Sequence, residues 1–240
     1  MRILPGLSYA SLGELAARIR AGQPIPAELS ALELSVGRAG LAGLLEAVAA
    51  ERKHAESVAD GRIELVWSGP EREGAGSRDT AVLVRELFST AERTVDVSGY
   101  AIHDGESIFA QLADRMEANS LLVVRLFVNV HRPTDGHVPD SVVVEQFRSR
   151  FFEHHWPWER RPQVFFYPKS LDPSPATRAV LHAKCVIVDR QRALVTSANL
   201  TEAAQYRNIE AGVLVNDEVF SSGLAAQFSA LVEMGVLRPL

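Results

Sequence analysis

One cysteine, Cys185, is all the thiol this chain has. That excludes an internal disulfide, and with no companion at metal-ligand spacing it excludes a cysteine-built zinc site; the usage fits a reducing compartment. Equally missing is any apolar run of the roughly 18–20 residues that a membrane-spanning helix needs. The opening MRILPGLSYASLGEL has no signal-peptide apolar block and no cleavage site, so the expectation is a cytoplasmic protein with no membrane partner. There is no internal repeat and no low-complexity tract. Net positive charge is lacking too: the formal value is −5, and the whole-molecule field carries no footprint of a nucleic-acid binder. Locally the balance reverses. Between residues 148 and 192 nine basic residues stand against four acidic ones, a surplus that suits a phosphate polymer as well as it suits an ordinary solvated basic face.

What is present divides in two. Residues 1–60 read as a small helical region: Ser11 with Glu14 has capping-box spacing, Pro26 stands where a second helix would begin, and 41–58 is rich in Ala, Leu and Glu. From Ile63 short apolar runs alternate with longer helical ones, the pattern of an α/β domain over 61–240. Strands are expected at 63–67, 94–100, 121–130, 163–167, 180–188, 192–197 and 209–215, and helices at 79–91, 106–118, 141–152 and 218–234. Most of the Gly and Pro falls in loops at 68–77, 132–140 and 168–175.

The chemistry concentrates in LHAKCVIVDRQRALVTSAN, residues 181–199. His182 and Lys184 lie two apart in an apolar run, so in a strand both project from one face. That pair is poorly suited to a core and well suited to a phosphate. The ammonium neutralises nonbridging oxygens, and a neutral imidazole can attack phosphorus. Asp189 comes at the end of the same run, and Ser197 and Asn199 follow the next one. If the two runs form a hairpin, Asn199 returns to the level of His182. Glu210, on the following strand, could accept from the far nitrogen of His182 and fix its tautomer.

His182-x-Lys184-x4-Asp189-x6-Thr196-Ser197-x-Asn199 closely resembles the HKD signature of the phospholipase D superfamily, H-x-K-x4-D-x6-G-S-x-N. Only the glycine differs, replaced by Thr196, and Glu210 falls where the family keeps an orienting glutamate. The resemblance implies a mixed β-sheet flanked by helices and a metal-independent, cofactor-free phosphodiesterase. In that family one histidine forms a phosphohistidine, a second serves as acid and then base, and Asp189 would be mainly structural. This chain holds one motif, and single-motif members homodimerise around a two-fold axis, so His182 of each copy would take opposite roles at one site. The strings VWSGP, RDTA and VSGYAI extend the likeness to the phospholipase-D-like proteins of bacterial antiphage systems of the DISARM type. The expected function is a defence nuclease acting on DNA or RNA, possible partners being other proteins of such a system. The alternatives are a phospholipid phosphodiesterase and a noncatalytic subunit of a defence complex that docks through its helical region.

Further candidates each have a duller reading. Ser68 and Arg78 sit at a strand end and a helix start, where they could touch substrate; a Gly-Pro turn and a helix cap explain them more simply. His103, His131 and His137 read as loop or surface histidines. The aromatic cluster around Trp156, followed by Arg160 and Arg161, could stack nucleobases or could pack as a core or contact surface. Adjacent His154 and His155 lack the further ligands a metal would need. Cys185, opposite to His182 and Lys184 by alternation, reads as a small buried hydrophobe.

Overall fold

A computed structural model describes residues 7–70, 76–133 and 138–240, without the side chains of 54–60 and 205–206. The chain splits into two compact units, Met1–Gly61 and Arg62–Leu240. In the first, α1 (Tyr9–Arg20) and α2 (Ser30–Asp60), the latter broken at Gly37 by a positive φ of 71°, bury Leu12, Ala16, Ile19, Leu29, Leu41 and Leu45 against one another. The helix cap is Ser8, whose hydroxyl accepts from the Ser11 N–H at 3.2 Å, not the expected Ser11. The helix therefore begins at Tyr9, three residues before the first core position, Leu12.

In the second unit nine strands make one mixed sheet in the order β2-β1-β8-β7-β6-β3-β4-β5-β9. They are β1 (Ile63–Ser68), β2 (Arg78–Asp79), β3 (Thr94–Gly99), β4 (Val123–Val128), β5 (Gln163–Phe166), β6 (Cys185–Val188), β7 (Arg192–Thr196), β8 (Glu210–Asn216) and β9 (Arg238–Pro239). The described helices are α3 (Thr80–Ser89), α4 (Gly105–Ala118), α5 (Asp140–Arg150), α6 (Glu202–Tyr206) and α7 (Glu218–Glu233). β3, β4 and β5 run parallel, joined by helical crossovers, while β6, β7 and β8 run as antiparallel neighbours.

Alternation along the strands feeds two cores. Val95, Val97, Val124, Leu126, Val186 and Val188 turn toward Leu83, Leu87, Phe109 and Leu112 of α3 and α4. Phe127, Cys185 and Ile187 turn the other way, toward Ala225 and Phe228 of α7, where Phe127 stacks on Phe228 at 4.6 Å. On that face the buried Asp96 carboxylate takes Arg125 in a two-pronged pair at 2.6 and 2.7 Å, and Arg125 also donates to Ser229 of α7 at 3.0 Å. Burial, with Asp96 nearby, pushes the Cys185 thiol up to about 12. It is a buried, inert hydrophobe.

The strand expected over 180–188 is shorter than the sequence suggests: only Cys185–Val188 pairs in the sheet. Residues 181 and 183 give their backbone groups to side chains instead. The run expected over 121–130 likewise narrows to Val123–Val128. The helix expected over 79–91 begins at Thr80, with Asp79 capping it by accepting from the Val82 N–H. The middle of the 68–77 loop and His137 lie outside the described residues.

Candidate active site

Topology gathers one rim of the sheet. β6 is antiparallel to β3 with Cys185 opposite Ser98, so the residues just before Cys185 lie beyond the carboxyl ends of β3 and β4. β7 leaves at the same rim, with Val195 opposite Cys185, and β8 enters there, with Glu210 opposite Ser68. His182, Lys184, Ser197, Asn199 and Glu210 are thus brought to one edge, where ligand crevices form in such sheets.

Two buried side chains hold the segment around His182. Ser98 donates its hydroxyl to the Ala183 carbonyl at 3.0 Å, and Asn129 Oδ1 accepts from the Leu181 N–H at 3.2 Å. His182, between these tethers, is exposed. Lys184 Nζ lies 3.1 Å from His182 Nδ1, 3.2 Å from Nε2 and 3.1 Å from the His182 carbonyl. An ammonium only donates, so the imidazole must turn a lone pair toward it. Burial lowers the Lys184 pKa below the ordinary lysine value, partly opposed by the charge of Glu210. The Tyr100 ring meets the His182 ring at 4.7 Å and the His131 ring at 4.9 Å, both edge-on.

Asn199 reaches this rim because Leu200 pairs with the 101–103 segment: its N–H donates to the Ala101 carbonyl, and the His103 N–H donates to its own. Gly99 permits that approach, since a Cβ there would stand 2.8 Å from Leu200 Cδ1. Asn199 Oδ1 is buried and has no hydrogen-bond partner among the described residues. Such a group costs about 1–3 kcal/mol and calls for an explanation outside folding. Thr196, where the resemblance expects glycine, faces Gly212 of β8, at which a Cβ would fall 2.8 Å from Thr196 Cβ. The missing side chain opposite makes room for the extra one.

Other expected site residues are placed elsewhere or otherwise engaged. Glu210 makes no hydrogen bond to His182 within the chain; its carboxylate accepts from Ser197 Oγ and from Asn208 Nδ2 at 3.3 Å. Asp189 lies at the opposite end of β6. There its carboxylate accepts from the N–H groups of Glu92, Arg93 and Thr94 at 2.6–2.9 Å. It is a structural anchor, in a turn where both Asp189 and Arg190 have positive φ. Ser68 is buried and donates to Thr80 Oγ1 at 2.7 Å, so it is not free to touch substrate. Arg78 is paired with Glu86 and Glu64.

The aromatic cluster belongs to the core. Trp156 is fully buried and packs on Phe109. Arg160 donates to the carbonyls of Met116, Asn119, Ser120 and Leu122, closing the end of α4. Neither side chain is available to stack a base. Among the described residues no three His, Cys, Asp or Glu side chains cluster as a metal site would require. His131, read from sequence as a surface residue, is exposed and packs beside Tyr100. Sequence reasoning missed Ser98, Asn129 and Tyr100. Their one signal is polarity at the carboxyl ends of otherwise apolar strands.

A nine-stranded mixed sheet between helices, with a His-x-Lys pair at its rim, defines a phospholipase-D-type fold. The family described as "Cardiolipin synthase, PLD-like domain" matches residues 84–232, and the chain belongs to it. The chain is 29% identical over 157 residues to the DISARM protein DrmC of Bacillus paralicheniformis, covering 65% of this chain and 58% of that one. It thus spans a little over half the length of that curated relative. Among solved structures, NucT from Helicobacter pylori shares the fold with a TM-score of 0.51 at 12% identity, over 74% of this chain and 99% of that one. The phospholipase D family member Nuc from Salmonella typhimurium aligns with a TM-score of 0.47 at 16% identity, over 74% and 97%. No described helix is long and apolar enough to cross a membrane.

Proposed function

We propose that this chain is a phosphodiesterase, specifically a nuclease, that works without a metal through a phosphohistidine at a site shared by two copies. The observation that carries the reading is the pairing of His182 with Lys184 at 3.1 Å on an exposed rim. A neutral His182 attacks phosphorus, a P–N bond forms, and the bond to the leaving oxygen breaks as a second histidine protonates it. Water, deprotonated by that second histidine, then attacks phosphorus, and the P–N bond breaks to release His182. The Lys184 charge would neutralise the nonbridging oxygens, and the Asn199 Nδ2 amide would donate to them. Ser197 orients Glu210, whose charge acts on Lys184.

Two features support the second copy as source of the second histidine. The His-x-Lys motif occurs once in the sequence. Beside the rim, Leu65, Val213 and Val195 are cross-strand neighbours on one face of the sheet, and they stand 47%, 38% and 36% exposed. A row of apolar side chains left open to water favours a self-complementary contact.

Nucleic acid as substrate is supported by the basic surplus between residues 148 and 192, and a role in antiphage defence, with other defence proteins as partners, by the similarity to DrmC. A lipid phosphodiester is the second reading, favoured by the cardiolipin synthase description of the matching family. The test incubates wild type and His182→Ala in EDTA with labelled single- and double-stranded DNA and RNA, and with phospholipid vesicles. Cleavage of a nucleic acid by wild type alone, with an acid-labile phosphoprotein trapped on quenching, is the expected result. Headgroup release without nucleic-acid cleavage would favour the lipid reading. No cleavage at all, with phage protection intact in His182→Ala, would make the protein a noncatalytic subunit.

A further inference from the structure

The same rim walls a cavity of about 290 Å³ for which the hydrolytic steps have no use. Two of its walls are shared with the nucleophile. Tyr100 lines it and packs on the His182 ring, and Asn129 lines it while holding the Leu181 N–H. Whatever occupies the cavity is therefore carried by a substituent close to the phosphorus under attack.

The lining fits a flat, heteroatom-edged ring. Tyr100, Phe147 and the His131 imidazole offer faces and edges for stacking. Asn129, Gln146 and His155 bring hydrogen-bonding groups of both senses to an otherwise apolar wall. His155 Nδ1 accepts from the Gly105 N–H at 3.3 Å, so its neutral ring carries the proton on Nε2 and can donate. Burial, followed by the charges of His103 and His154, lowers its pKa and favours that neutral form. Arg150, exposed, lines the same cavity, where a guanidinium answers a neighbouring phosphate. An acyl chain would leave those polar groups without partners, which disfavours it.

We propose that this cavity receives one unstacked nucleobase adjoining the scissile phosphate, so that the substrate is single-stranded nucleic acid read by stacking beside Tyr100. The proposal rests on the nuclease reading above and goes further by naming the substrate's strandedness and its subsite. A base paired in a duplex is held in its stack and would have to be extruded first.

The test uses the full-length His182→Ala protein, which binds without turnover. Fluorescence anisotropy compares a short single-stranded oligonucleotide with one of equal length and charge whose central positions are abasic. The base-bearing strand is expected to bind about tenfold more tightly, the effect of one stacked base. Gln146 is exposed and lines the cavity, so Gln146→Trp fills it from outside the core and should bring the ratio close to one. In the His182→Ala protein with Gln146 intact, a 2-aminopurine at the central position should lose fluorescence on binding. Equal affinity for both strands, or a ratio that survives Gln146→Trp, overturns the proposal. So does competition by anionic phospholipid vesicles against the base-bearing strand alone, which would put an acyl chain in the cavity. Cleavage by wild type without a base-dependent ratio would sink this inference and leave the nuclease reading standing; failure of both strands to bind would sink this inference, and the nuclease reading falls only if wild type also cleaves no single- or double-stranded nucleic acid.

Discussion

At one end of the β6–β7 hairpin Asp189 spends its carboxylate on three backbone N–H groups. At the other, the hydrogen bonds of Lys184 Nζ among the described residues go to its neighbour His182, and Asn199 Oδ1 has no partner at all among them. Both ends come from one sequence motif, yet one is satisfied and the other is not. Satisfied polar groups hold a fold together; unsatisfied ones on a rim await something the chain does not itself supply. The motif therefore combines, at fixed spacing, a clamp and the proposed reaction centre, and substitution can separate them.

The largest effect should come from the reactive end. His182→Ala is expected to cut phosphodiester cleavage by about 10³-fold or more while leaving thermal unfolding unchanged, read by initial rates beside a calorimetric scan. Next comes the shared site. Val213→Glu places a charge in the exposed apolar row, so sedimentation should show a monomer and activity should fall at least about a hundredfold, in step with dissociation. An active monomer would break the two-copy account.

The clamp end should behave in the opposite way. Asp189→Ala strips the acceptor from three N–H groups and is expected to cost about 2–3 kcal/mol, a drop in Tm of roughly 4–12 °C for a unit of this size. Below that transition its kcat should stay within a few-fold of wild type. A large loss of kcat in folded protein would erase the distinction between the two ends.

The smallest effect is a pH limb. Lys184 has a lowered pKa through burial, so it is charged below that value and neutral above it. An activity that needs the charge is full at lower pH and declines as pH rises through that pKa, sooner than an ordinary lysine would allow. Lys184→Arg should remove the limb from the kcat/KM profile, whatever it does to the rate itself, because guanidinium does not titrate there.

Much of this was legible in the sequence, and the misses have physical causes. Long apolar runs gave strands β1, β3, β5, β7 and β8 to within a residue or two, because burial on the sheet dictates them. β2 and β9 are two residues each, Arg78–Asp79 and Arg238–Pro239, and carry no apolar pattern to read. Leu181 looked like strand but its N–H goes to a tether, Asn129, which competes for the backbone the sheet would have used. His182, Lys184 and Asn199 stood out as polar residues at fixed spacing. Ser98, Asn129 and Tyr100 reach the 181–184 segment only after β3, β4 and β6 are side by side. Trp156 and Arg160 were misleading because aromatic and guanidinium groups compose a core and a nucleic-acid surface alike.

The placement of β3 carries a consequence for synthesis. It pairs with β4 soon after both are made, but its other edge is completed by β6, and the Asp189 clamp spans 95–97 residues of chain. At a ribosomal pace of roughly 5–20 residues per second, that edge stays open for about 5–20 s in the nascent chain. During that interval a central strand presents unpaired backbone to any neighbouring polypeptide. The seam on which the proposed reaction centre depends thus closes only after most of the chain has been made, and slower translation should lengthen its exposure.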